Sequence, residues 1–185
     1  MKFNIHYSEE SFERYMSRRT IPRIITKTEN IVLLAIMRLK INTDKISQFT
    51  VKFRHGRVEG YSNLFRYPRT KEVELTLNLH FIEKSSKRAV ENIIYHELGH
   101  LRDMLDPRYN YKPTQIDKMS EEAFKKFVTI WNINIDSRLN NKGLPSAVRG
   151  RKEDIRYFHI PHEMVKKIWN KFVNFSEMVE LARKL

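Results

Sequence analysis

The sequence predicts an α+β fold, and three observations carry that reading. Residues 73–81 alternate strictly, with Val73, Leu75, Leu77, Leu79 and Phe81 interleaved by Glu74, Thr76, Asn78 and His80. Period two is the pattern of a strand with one buried face. Residues 87–105 instead place apolar side chains at 89, 90, 93, 94, 98, 101 and 105, which is one stripe of a helix. Residues 120–140 repeat the helical spacing through Phe124, Phe127, Val128, Trp131, Ile135 and Leu139.

Taken in order, a short polar helix is expected over 8–19, with Ser8 or Ser11 as its cap. A second helix is expected over 27–40, around the run Ile31-Val32-Leu33-Leu34-Ala35-Ile36-Met37. That run is a core helix, because crossing a bilayer takes roughly 18–20 apolar residues. Val51 and Phe53 alternate with Lys52 and Arg54, a strand; Gly56 and Gly60-Tyr61-Ser62 supply turn chemistry. The 73–81 strand then leads into the 87–105 helix. Ser85 or Ser86 caps that helix, and Asp106-Pro107 ends it, since a residue before proline avoids the α region. A loop with Pro107 and Pro113 follows, and the next helix starts near Ser120. Asn141-Lys142-Gly143-Leu144-Pro145 stops it, with glycine and proline where a helix end wants them. Residues 146–161 read as irregular, and 162–184 as one amphipathic helix. The expected organisation is a domain over residues 1–145, with 146–185 packed on it.

Composition narrows the classes. A chain of 185 residues with 41% hydrophobic side chains can bury a real core. It has no cysteine, which excludes disulfides and thiolate zinc sites; any metal must sit on His, Asp or Glu. No signal peptide is expected, because no apolar central region follows Met1-Lys2-Phe3-Asn4-Ile5-His6. These features fit a cytoplasmic protein without membrane contact. The net charge of +13 favours anionic partners, nucleic acid among them. The basic residues are scattered, and no helix-turn-helix, phosphate loop or RNA-binding signature is present.

One stretch specifies a chemistry: His96-Glu97-Leu98-Gly99-His100. Helix positions four apart share a face one turn apart, so His96 and His100 can offer two imidazole nitrogens to one ion. Glu97 stands where its carboxylate can reach water on that ion. H-E-x-x-H on a helix is the signature of zinc hydrolases, with the glutamate as general base. This composition yields the pattern by chance about 2% of the time. His96, His100 and Asp103 fall along one edge of the helix.

With this motif after a strand and before a second helix, residues 25–145 resemble the zincin superfamily of metallopeptidases. The resemblance implies a small, twisted, mostly antiparallel sheet packed on the helix that bears the motif. It also implies Zn2+, a protein or peptide substrate, and a third ligand on a later helix or loop.

Four places can supply that ligand. Asn132, Asp136 and Asn140 form a polar stripe beside Trp131, Ile135 and Leu139. A carboxylate beside a core stripe needs a partner, either a metal ion or a base such as Arg138. Asp136 is therefore the leading candidate. It also lies in Trp131-Asn132-Ile133-Asn134-Ile135-Asp136-Ser137-Arg138-Leu139, which is similar to patterns on the second helix of some metallopeptidases. Glu121 or Glu122 matches the spacing of thermolysin-type zincins, although acidic residues after Ser120 are also what a helix N-terminus favours. Asp106 matches a longer variant of the motif, except that Asp103 replaces its turn glycine. His159 and His162 come last.

On this reading zinc lowers the pKa of its water from near 16 to about 7, and Glu97 takes the proton and passes it to the leaving amine. Tyr157, His159 and Arg138 are the candidate oxyanion donors. The 73–81 strand or the 51–58 segment is the expected edge for an extended substrate. The 146–185 tail is placed to block a cleft. A metal-stabilised binding module without turnover, and a basic nucleic-acid-associated protein, are the competing functions.

Overall fold

A computed structural model of the chain describes residues 5–8, 20–44, 46–54, 60–66 and 71–185. These form two compact units, Met1–Arg102 and Asp103–Leu185. The division does not coincide with the expected one at 145. Of the helix expected over 8–19, Ser8 instead closes the strand Ile5–Ser8, and the rest lies outside the described residues, as does Gly56.

The first unit holds one four-stranded sheet of order β1-β2-β4-β3, built from β1 (Ile5–Ser8), β2 (Ile46–Arg54), β3 (Gly60–Arg66) and β4 (Lys71–Asn78). The mixed α and β composition is as expected, but the sheet is not mostly antiparallel. β1 pairs with β2 and β2 with β4 in parallel, and β3–β4 alone runs antiparallel. Parallel neighbours need a crossover, and α1 (Thr20–Leu39) lies between β1 and β2 in the chain. The order strand, helix, strand carried this information, but β1 is too short to stand out in sequence. A second correction concerns the edge. β2 and β4 are interior strands; β1 and β3 form the margins. A substrate strand therefore has no place beside β4, and in the described part of the 51–58 segment β1 already occupies the side of Val51 and Lys52.

The core of this unit follows from the pleat. Phe49, Val51 and Phe53 of β2 stand in register with Val73, Leu75 and Leu77 of β4, and all six are buried. α1 buries Ile24, Thr28, Ile31, Val32, Ala35, Ile36 and Leu39, the three-and-four spacing of one helical face. It begins earlier than residue 27, and Pro22 is tolerated because first-turn N–H groups lack helical acceptors. It ends on Lys40 at φ 54°, with Ile41 N–H closing on Ile36 O at 3.0 Å.

The strand expected to reach Phe81 stops at Asn78. There the Asn78 side chain accepts from Phe81 N–H at 2.9 Å and starts α2 (Leu79–Lys84), which the sequence analysis missed. Leu79 and Ile82 are fully buried by this turn. Alternation alone does not separate the two structures, because a short helix can carry apolar residues at 79 and 82 just as well. α3 (Lys87–Leu105) follows; Ser86 Oγ accepts from Ala89 N–H at 3.2 Å, as expected of its cap. Gly60 lets β3 come close to this helix. A Cβ at that position would stand 3.0 Å from Ile93 Cγ2 and 3.2 Å from Leu77 Cδ2.

The second unit is helical. α4 (Glu121–Asn141) is capped by Ser120, as expected. Its end is a Schellman turn: Gly143 N–H bonds Asn140 O, Leu144 N–H bonds Leu139 O, and Gly143 has φ +66°. Residues 146–161 are not irregular throughout, since they contain α5 (Arg151–Tyr157). The single helix expected over 162–184 is two, α6 (His162–Ile168) and α7 (Phe175–Arg183). Buried polar groups of α4 hold the break. Asn134 Nδ2 donates to Ile168 O and Lys171 O, and Ser137 Oγ accepts from Asn170 N–H. Asn170 takes φ 54°, and Asn174 with Glu177 forms a capping box for α7. Asn-x-x-Glu was the legible signal of that start.

Gly143→Ala should lower stability by about 1 kcal/mol, from left-handed backbone strain alone, because no atom lies within 4 Å of the added methyl. Asn174→Ala should remove a similar amount, about 1 kcal/mol, through loss of the cap. Urea denaturation of the two variants and the parent chain measures both.

Candidate metal centre

The apolar stripe of α3 positions the motif. Val90, Ile94 and Leu98 are fully buried and fix the helix rotation. His96, Glu97 and His100 are then also buried, with 5%, 8% and 8% of their surface exposed. The two rings face one another edge to face, 4.7 Å between centroids. Their Nε2 atoms lie 3.1 Å apart. Two nitrogens bound to one tetrahedral zinc at about 2.0–2.1 Å would lie about 3.3 Å from each other. The pair is thus close to a bidentate geometry. The same distance suits an N–H···N hydrogen bond between two neutral rings, with the tautomers deciding which one donates.

The imidazole half of a zinc site therefore fits. The described residues do not complete the set of a catalytic zinc, three protein ligands and an open position. Among the described residues, no three His, Asp or Glu side chains gather where they could hold one ion.

The candidate third ligands have other partners. Asp136 is fully buried on α4; its Oδ2 receives Arg151 Nε at 2.6 Å and its Oδ1 receives Ala147 N–H at 3.0 Å. Its need for a partner is met by a base, though Arg151 rather than Arg138. Arg151 also binds Asp154 at 2.8 Å, and these carboxylates hold its guanidinium above its ordinary range against burial, the largest single influence. Asp136 is accordingly explained without a metal. Glu121 and Glu122 are exposed on the first turn of α4 and pair with Lys125 and Lys126, each at 2.6 Å. Those bonds hold both carboxyls below their usual range. Asp106 binds Arg108, Nη2 to Oδ2 at 2.7 Å and Nε to both oxygens. His159 and His162 are exposed in the second unit.

Of the expected oxyanion donors, Tyr157 is 78% exposed and Arg138 is committed to Asp103. That last pair was not anticipated. Asp103 is 2% exposed and accepts from Arg138 Nη1 at 2.9 Å and from Trp131 Nε1 at 3.1 Å. Tyr109 stacks on Trp131 at 5.5 Å, within an aromatic group that includes Phe127 and Phe175. Asp103 shares a helix edge with the two histidines, which was visible; its partner 35 residues on was not.

No protein-family model matches the chain, and no curated protein or solved structure matches it.

Two outcomes follow from the buried groups. Asp136→Ala leaves the largely buried Arg151 with Asp154 alone and Ala147 N–H without its acceptor, and should remove about 2–3 kcal/mol of stability, measured by urea denaturation. Burial, reinforced by Asp103, pushes the Tyr109 hydroxyl well above its ordinary range, and that hydroxyl has no hydrogen-bond partner among the described residues. A raised folded pKa gives stability that is complete below the unfolded value and fades as pH rises past it, here above pH about 10. Tyr109→Phe should show a shallower loss of stability between about pH 10 and 11, with little change near neutrality.

Proposed function

We propose that the chain is a small zinc-dependent hydrolase of peptide bonds, with its chemistry centred on His96, Glu97 and His100 of α3. The observation that carries this reading is the 3.1 Å approach of the two Nε2 atoms on a buried helix face. Two imidazoles so placed suit a divalent ion of the zinc type. When bound, such an ion supplies acidified water at neutral pH. Glu97 follows His96 directly and is the only carboxylate within the five-residue motif. A carboxylate general base takes a proton from water and returns it to the leaving amine, and this is the role we assign to Glu97. A purely structural site needs ligands and no base, so the presence of Glu97 favours turnover.

We assign no third ligand, and no step is derived through the metal. A zincin relationship, with a protein or peptide as substrate, is part of this proposal and rests on the motif and its helix. A second reading is a metal-stabilised binding module without turnover, which would need four protein ligands rather than three.

Elemental analysis of the purified chain tests both readings, and peptide hydrolysis separates them. Stoichiometric zinc, lost in His96→Ala and in His100→Ala, is expected; its absence from the parent chain overturns both. Asp136→Ala should keep its zinc, because Arg151 already satisfies that carboxylate. Glu97→Gln should keep zinc and lose peptide hydrolysis by about a hundredfold or more. Equal hydrolysis by Glu97→Gln and the parent would refute the assigned base.

A further inference from the structure

Two neighbouring cavities of the second unit have no part in the site above. One, of about 320 Å³, is lined by Tyr157, Phe158, His159, Lys125 and Lys126. The other, of about 360 Å³, is lined by Lys118, Lys126 and Arg183 among others. Both are lined by Lys126, Glu122 and Leu185, so they adjoin in a trough along the start of α4. Both open widely to solvent, unlike a pocket that engulfs a small ligand.

The lining combines two chemistries. Lys118, Lys125, Lys126 and Arg183 bring positive charge, against Glu122. Tyr157 brings an aromatic face that is 78% exposed and braced edge-on by Phe158 at 5.0 Å. An exposed aromatic face beside cations is the combination that single-strand binding surfaces use. The adjacent backbone is set in place as well. His159 takes φ 51° at the end of α5, and Ile160 N–H closes on Ile155 O at 2.9 Å. Glycine or asparagine is the commonest residue at that left-handed position, and histidine also tolerates it.

The geometry points to single-stranded nucleic acid as the occupant of this trough. Its phosphates meet Lys118, Lys125, Lys126 and Arg183, and a base stacks on Tyr157. Lys125 and Lys126 are held by surface pairs to Glu121 and Glu122, which a phosphate can exchange for itself. An acidic peptide would use the cations and leave the exposed ring idle, which is why the strand is preferred. The chain's net charge of +13 acts in the same direction. This inference is independent of the proposed hydrolase and of any metal.

Fluorescence anisotropy of the full chain with a labelled oligothymidylate of about fifteen nucleotides tests it. Between about 50 and 200 mM KCl the Kd should rise about fiftyfold, the single-strand salt response of four phosphate contacts. Tyr157→Ala should weaken binding about tenfold at both salts without changing that slope, and Tyr157→Phe should bind like the parent. The pair Lys118→Ala with Arg183→Ala should flatten the slope. Tyr157 is so exposed that its replacement leaves folding intact, and circular dichroism of each variant verifies this. No binding at the lower salt overturns the inference. So does unaltered affinity in Tyr157→Ala, or competition by polyglutamate as effective as by unlabelled strand.

Discussion

Burial of one stripe of α3 is the constraint on which the candidate chemistry depends. Val90, Ile94 and Leu98 are withdrawn fully from water, at roughly 1.5–3 kcal/mol per large side chain. That burial fixes the rotation of the helix and thereby the direction of His96 and His100. Gly60 contributes from the sheet, because any side chain there would push against Ile93. The two imidazoles thus meet through packing that neither of them provides, and little further ordering is asked of them if an ion arrives.

The second unit solves a different problem. α4 is buried on nearly all sides from Phe127 onward, yet it carries Asn134, Asp136 and Ser137 inside. Every one of these has a defined task. Asp136 is neutralised by Arg151, and Asn134 and Ser137 hold backbone groups of the α6–α7 connection. A helix so enclosed needs most of its polar groups satisfied internally; of these three side chains, Asn134 Oδ1 is the atom left without a partner among the described residues. Asp103, Arg138 and Trp131 apply the same rule to the beginning of the unit.

What could be read in the sequence followed the range of the interactions. The caps Ser86 and Ser120 and the stop at Gly143 depend on residues three or four positions away, and all three were legible. So was the helix that carries His96, Glu97 and His100. The parallel sheet was not, because β1 has four residues and its pairing with Phe49 through Lys52 spans the whole of α1. The strand end at Asn78 was missed because period two and a short helix agree at Leu79. For Asp136, the need for a partner was correctly inferred, but Arg151 sits on α5, a helix the sequence analysis read as irregular chain. Burial of a carboxylate is visible in a pattern; the identity of its counterion is decided by tertiary folding.

The helix ends at Lys40, His159 and Asn170 adopt a left-handed turn without glycine. Each such residue carries a strain of about 1 kcal/mol that glycine would relieve, though less fully for asparagine. The chain, with only five glycines in all, therefore holds an unused margin of thermal resistance at these corners. Evolution or engineering can draw on that margin without disturbing a single core contact.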